Sequence, residues 1–173
     1  MALPLLWLGA GLAAVYAGSR LTEGSERHRA PVDVYPGESG QRVKPVDGAI
    51  VCCGIYAAFE HTGVWLDDSI VELKGNGLIR AISPQRFLHD RSGSKIYVAC
   101  DTHGQPLVAN GTAQRASERL YQYSDYDVIK NNCHRFVWQC VSGRNDPVTY
   151  FSELNHALGR QFGQPVSWYE QQI

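Results

Sequence analysis

The sequence predicts an α+β domain, an antiparallel sheet packed against helices, and three observations carry that prediction. Short apolar runs separated by turn residues fill residues 49–99. After Asn110 the apolar residues recur at helical spacing instead. Strands come first and helices afterwards, without the strand–helix alternation of a parallel sheet.

Each element has a local reason. Asp47-Gly48 is a turn dipeptide, and residues 49–56 after it form an apolar run of strand length. Thr62 to Leu66 reads as a second strand, closed by the turn composition Asp67-Asp68-Ser69. Ile70 to Leu73 is a third, stopped by Gly75-Asn76-Gly77; residues 78–82 and 96–99 give a fourth and a fifth. Ser83-Pro84 opens a short helix carrying Phe87 and Leu88, with proline at its first position. Thr112 is placed as the N-cap of a helix whose face is Ala113, Ala116, Leu120 and Tyr123. A second helix is expected to start at Asn132 or Cys133, to bury Phe136, Val137, Cys140 and Val141, and to stop at Gly143. Asp146-Pro147 is read as opening a third, with Phe151, Leu154, Leu158 and Phe162 inward and Gly163 at its end.

At 173 residues the chain has room for one domain and an appendage. The appendage is expected at the N-terminus. Residues 2–18 are apolar or small, with no charged side chain before Arg20, near the short end of what spans a bilayer. Trp7 and Tyr16 stand near the two ends, where interfacial aromatics are favoured. Residues 1–19 are therefore read as a transmembrane anchor. Arg20, Arg27 and Arg29 follow it and no Lys or Arg precedes it, which orients the remainder toward the cytoplasm. The alternative is a cleaved export signal, which lacks a basic n-region here. Residues 20–45, rich in Gly, Pro, Ser and charge, read as a flexible tether, leaving 46–173 as the folded domain.

The formal net charge of −1 and the absence of a basic run argue against a nucleic-acid surface. Five cysteines without a CxxC pair do not form a disulfide framework; Cys52, Cys53, Cys100 and Cys140 read as small buried residues. No HExxH or paired Cys/His spacing suggests zinc, and no cofactor is expected.

Cys133, His61 and Glu72 are the chemical candidates. A cysteine attacks as thiolate, and its ordinary pKa leaves little thiolate at neutral pH. A helix N-terminus and an adjacent imidazole both lower that pKa. Cys133 has the first if its helix starts there, after the capping residues Asn131 and Asn132. His61 can supply the second. Glu72, among apolar strand residues, can accept the other imidazole N–H, provided the hairpin register turns both to one side. His134 competes for the base role, but successive helical residues diverge by about 100°, and His61 ranks above it.

These residues resemble a known family. Asn131 to Cys140 is similar to the Asn-Cys-Glu-His-Phe-Val nucleophile helix of the lecithin:retinol acyltransferase (LRAT)-like family, in the circularly permuted NlpC/P60 branch of papain-like proteins. His61-Thr62-Gly63-Val64-Trp65-Leu66 resembles its His-x-x-Ile-Tyr-x base strand, and Glu72 falls where the family has a third polar residue, often His. The residue after the cysteine is His134 rather than the usual Glu. The resemblance implies a permuted papain-like fold with Cys133 as nucleophile, His61 as base and Glu72 as the orienting group. It implies an acyltransferase or hydrolase working through a Cys133 thioester. With a membrane anchor beside the site, the expected partner is membrane lipid or another acylated substrate. A peptidase or amidase of the NlpC/P60 kind, and a non-catalytic binding module, are the alternatives.

Overall fold

The computed structural model describes residues 31–55, 59–89 and 91–172. The expected anchor over 1–19 lies outside them. Among the described residues no helix is long and apolar enough to cross a membrane.

The architecture is mixed α+β, a large sheet packed against helices. The strands are β1 (Val32–Val34), β2 (Arg42–Val43), β3 (Ile50–Ile55), β4 (Phe59–Leu66), β5 (Ser69–Leu73), β6 (Ile79–Ile82), β7 (Tyr97–Cys100) and β8 (Val166–Gln171). They make one sheet in the order β1-β8-β7-β3-β4-β5-β6, with β2 also on β8. Pairing is antiparallel from β8 through β6, while β1 and β2 run parallel to β8. The helices are α1 (Pro84–Leu88), α2 (Thr112–Ser117), α3 (Cys133–Ser142) and α4 (Phe151–Phe162).

Period-2 alternation sends successive strand residues to opposite faces and builds two apolar clusters. One gathers Ile50, Cys52, Val64, Val71, Leu73 and Ile79 with Phe136 and Val137 of α3 and Leu154 and Leu158 of α4. The other gathers Val51, Cys53, Trp65, Ile70 and Ile82 with Phe87 of α1. The central strands are covered on both sides, which is why residues 49–56 read as continuously apolar.

Four expectations are corrected. Within the stretch read as a tether over 20–45, the described residues 31–45 contribute β1 and β2 to the sheet; the Pro, Gly and charged residues between these short strands hide them from a local reading. Strand β8 was not anticipated, although Trp168 and Val166 are fully buried and β8 lies between β1 and β7. The helix opening near Thr112 ends at Ser117, and its cap is Gly111 in the left-handed region. Leu120 and Tyr123 lie beyond it. The backbone of 121–124 turns instead to the start of β6: Tyr121 N donates to Ile79 O and Ser124 N to Gly77 O. That pairing covers part of an edge strand. Likewise α4 begins at Phe151 rather than at Asp146-Pro147, because Glu153 accepts from the backbone N–H groups of Thr149 (2.7 Å) and Tyr150 (3.3 Å) and fixes the first turn there.

Candidate active site

Cys133 is the first residue of α3. Asn132 sets that start: its Oδ1 accepts from the backbone N–H groups of His134 (3.0 Å) and Arg135 (3.1 Å). Its amide donates to Val128 O and Thr149 O, so one side chain both caps the helix and ties it to two loops. The helix ends at Gly143 in the left-handed region, φ 71°. Arg115 closes the last turn by donating to Cys140 O (2.6 Å) and Val141 O (2.8 Å). The thiol thus sits at the positive end of an anchored helix dipole.

The β4–β5 hairpin supplies the other two residues. Asp67 and Asp68 both have positive φ, 47° and 55°, as a two-residue type I′ turn requires, and Leu66 pairs with Ser69. The register continues through Trp65–Ile70 and Val64–Val71. One step further it sets Gly63 opposite Glu72, with His61 diagonal to Glu72 on the same face. His61 Nε2 donates to Glu72 Oε2 at 2.7 Å, and both residues are buried. Gly63 has no substitute in this close approach: a Cβ there would lie 2.5 Å from Ile70 Cγ2 and 2.9 Å from Val71 O. The Phe87 ring packs on the imidazole at 5.1 Å between centroids.

Glu72 is wholly buried, which demands charge compensation. Arg80, its direct cross-strand partner, donates from Nε (2.9 Å) and Nη2 (2.7 Å) to Oε1. Arg91 Nη2 donates to Oε2 at 2.8 Å. Burial pushes the Glu72 carboxyl up, but the hydrogen bond and charge of His61, followed by Arg91 and Arg80, hold it down at about 2. Glu72 is therefore a fixed carboxylate at any physiological pH.

With Nε2 engaged by Glu72, Nδ1 is the His61 nitrogen left for proton transfer, and the Cys133 thiol is near enough to act on the ring's charge. Burial lowers the His61 pKa; Cys133 and Glu72 outweigh it and raise the net value. Burial raises the Cys133 pKa, and the charges and hydrogen bonds of His134 and His61 bring it well below the ordinary thiol range. The other four thiols move the opposite way: burial pushes Cys53, Cys100 and Cys140 up to about 12 and Cys52 well up. One thiol in five is thus held toward thiolate, and it is the one at a helix start.

His134 is closer to the chemistry than its helical position suggested. Its Nδ1 lies 4.0 Å from Cys133 Sγ and hydrogen-bonds Thr62 Oγ1 at 3.1 Å. Its ring packs on Phe151, 5.8 Å between centroids. Thr62, the residue after His61 on β4, thus holds the His134 ring beside the sulfur at the first turn of α3.

Residues 79–146 match the family model described as lecithin retinol acyltransferase. By this match residues 79–146 are LRAT-like. The LRAT-like segment contains β6, Arg80, Arg91 and the Cys133 helix, while His61 and Glu72 lie before it, joined to it by the hairpin. No curated protein sequence matches the chain. Around Glu72 and Cys133, reading the sequence missed Arg80, Arg91 and the Thr62–His134 pair. Arg80 had a usable signal: a strand glutamate followed, across Gly75-Asn76-Gly77, by an arginine on the next strand. Arg91 lies in a loop and had none.

Proposed function

We propose that this LRAT-like chain is a cysteine-dependent acyltransferase or hydrolase, with Cys133 as nucleophile, His61 as base and Glu72 as the residue that orients His61. The observation that carries the reading is the junction of the 2.7 Å His61–Glu72 hydrogen bond with the one thiol that is held toward thiolate. The matched family is described as an acyltransferase, which supports the reaction class.

In this reading the Cys133 thiolate attacks the acyl carbonyl carbon. The resulting oxyanion takes a hydrogen bond from the Cys133 backbone N–H, one of the helix-start donors without an intrahelical acceptor. His61 gives its proton to the departing oxygen or nitrogen as the carbon–heteroatom bond breaks, leaving a Cys133 thioester. An acceptor hydroxyl, amine or water, deprotonated by His61, then attacks the thioester carbonyl and releases the thiolate. Glu72 keeps Nε2 protonated throughout, so Nδ1 does the proton transfer.

The substrate we assign is a lipid acyl group met at a membrane. Tyr121 and Tyr123 are 80% and 74% exposed, and Val128 and Ile129 are also exposed, all in the segment that leads into Cys133. Aromatic and aliphatic side chains of this kind suit a lipid–water boundary. The apolar residues 2–18 would anchor the chain there, with the domain on the cytoplasmic side. A reporter fused after Ile173 tests that topology, and a signal from the exported side would overturn it.

The catalytic reading is tested by iodoacetamide labelling near neutral pH. Cys133 should react well ahead of the other four cysteines, and His61→Ala should slow it. Uniform labelling, or labelling indifferent to His61→Ala, would leave a binding module. Mass spectrometry of Cys133 after incubation with membrane lipid should then find an acyl adduct; a peptidyl adduct would instead establish a peptidase.

A further inference from the structure

Beside the buried carboxylate, on the side occupied by its two arginines, lies a cavity of about 450 Å³ lined by Lys74, Arg80, Arg86, His89 and Arg91. Its charge is unbalanced among the described residues. Arg80 and Arg91 share one carboxylate, Glu72, and Lys74 and Arg86 add two further cations to the same wall. The two arginines are held in place. Arg80 is clamped by two hydrogen bonds that converge on Glu72 Oε1; Arg91 is held by Glu72 and the Phe87 carbonyl, with its guanidinium over the Phe87 ring at 4.8 Å. Both keep part of the side chain open to solvent, 23% for Arg80 and 13% for Arg91. Fixed guanidinium donors, two further cations and a concave wall match the recognition chemistry of a tetrahedral oxyanion. The volume also leaves room for a group attached to it.

We infer that this cavity is a binding site for a phosphate group, supplied either by free phosphate or by a phosphorylated glycerol headgroup. Lys74, directly after β5, and Arg86 on α1 are the further cations. Arg80 and Arg91 are the fixed ones, and they connect the site to His61 through Glu72. The site goes beyond the acyl-transfer reading and does not depend on it, because binding is measured without turnover.

Isothermal titration of the full chain in neutral detergent at about 150 mM chloride, where long-range attraction is largely screened, uses inorganic phosphate in one arm and sn-glycerol 3-phosphate in the other. Saturable one-to-one binding is expected in at least one arm. It should weaken tenfold or more in the Lys74→Gln/Arg86→Gln double variant and by a smaller factor in Arg86→Gln alone, with Cys133 labelling retained in both. Tighter binding of sn-glycerol 3-phosphate would identify a headgroup as the source; equal or tighter binding of inorganic phosphate would identify the free anion. Absence of saturable binding in both arms at millimolar ligand overturns the site. So does binding that Arg86→Gln and the double variant leave unchanged. Loss of Cys133 reactivity with phosphate binding intact would instead count against the catalytic reading alone.

Discussion

At the scale of single residues, the site is governed by one buried carboxylate. Glu72 sits at about 2 rather than its ordinary 4.5, which at ~1.36 kcal/mol per unit amounts to about 3 kcal/mol of linkage. Because the folded value is depressed, that stability is fully present above pH 4.5 and is lost as pH falls toward 2. Urea unfolding followed from pH 5 to pH 2 should show the loss in the native chain and a flatter profile in Glu72→Gln. The two imidazoles divide the work differently. His61→Ala removes the proposed base together with the ion-pair partner of Glu72, and should cost about 10²- to 10⁴-fold in the proposed acyl transfer. His134→Asn removes only a neighbour of the sulfur held by Thr62. It should raise the Cys133 pKa, read from thiolate absorbance against pH, while sparing more of the rate. In the native chain the rate should plateau between the lowered Cys133 pKa and the raised His61 pKa and fall on either side.

At the scale of elements, position is decided by caps and turns. Asn132 is the joint on which α3 depends, since it satisfies two helix-start N–H groups and two loop carbonyls. Asn132→Ala should destabilise the fold by about 1–2 kcal/mol. It should also slow Cys133 alkylation, because the sulfur shifts with the first turn; thermal unfolding and labelling rate measured together check both. Gly63 is the matching joint of the hairpin. Gly63→Ala forces a methyl against Ile70 and the Val71 carbonyl and should cost about 1–3 kcal/mol. The resulting displacement of β4 against β5 should break the His61–Glu72 pair, visible as a loss of the acid-range stability assigned to Glu72. The Asp67-Asp68 turn was legible as a turn from composition alone. Its type was not, and the type is what places His61 diagonal to Glu72 instead of turning one of them away.

At the scale of the whole molecule, the sheet closes late in the chain. Strand β8 inserts between β7 and the two short N-terminal strands, and Trp168 is buried with its indole N–H donating to Asn155 of α4 at 2.9 Å. Truncation before Val166 should leave an unpaired β7 edge and an exposed core face. The expected outcome is an insoluble or molten product, read by loss of the cooperative thermal transition. The family match over 79–146 ends before β8 and begins after His61. The folded unit is therefore larger than the matched segment: the β4–β5 hairpin brings the proposed base and its carboxylate to it, and β8 completes the sheet that holds them.

Local signals determined much of this. Apolar runs, the 62–66 and 70–73 strands, the Asn132 cap and the Gly143 stop were all readable, because each depends on neighbours within a few positions. Cys133, His61 and Glu72 stood out as candidates, since a thiol at a helix start and an acid within an apolar strand are unusual choices. Pairing across distance decided the rest. Residues 32–34 and 42–43 are strands only because β8 is there to pair with them. Segment 121–124 leaves the helix because β6 offers its backbone. Glu72 is a buried anion and not a surface residue because Arg80 and Arg91 meet it from a strand and a loop. Local propensity sets which elements form, whereas burial and long-range hydrogen bonding set which side chains face one another, and it is the facing that turns three separate residues into a site.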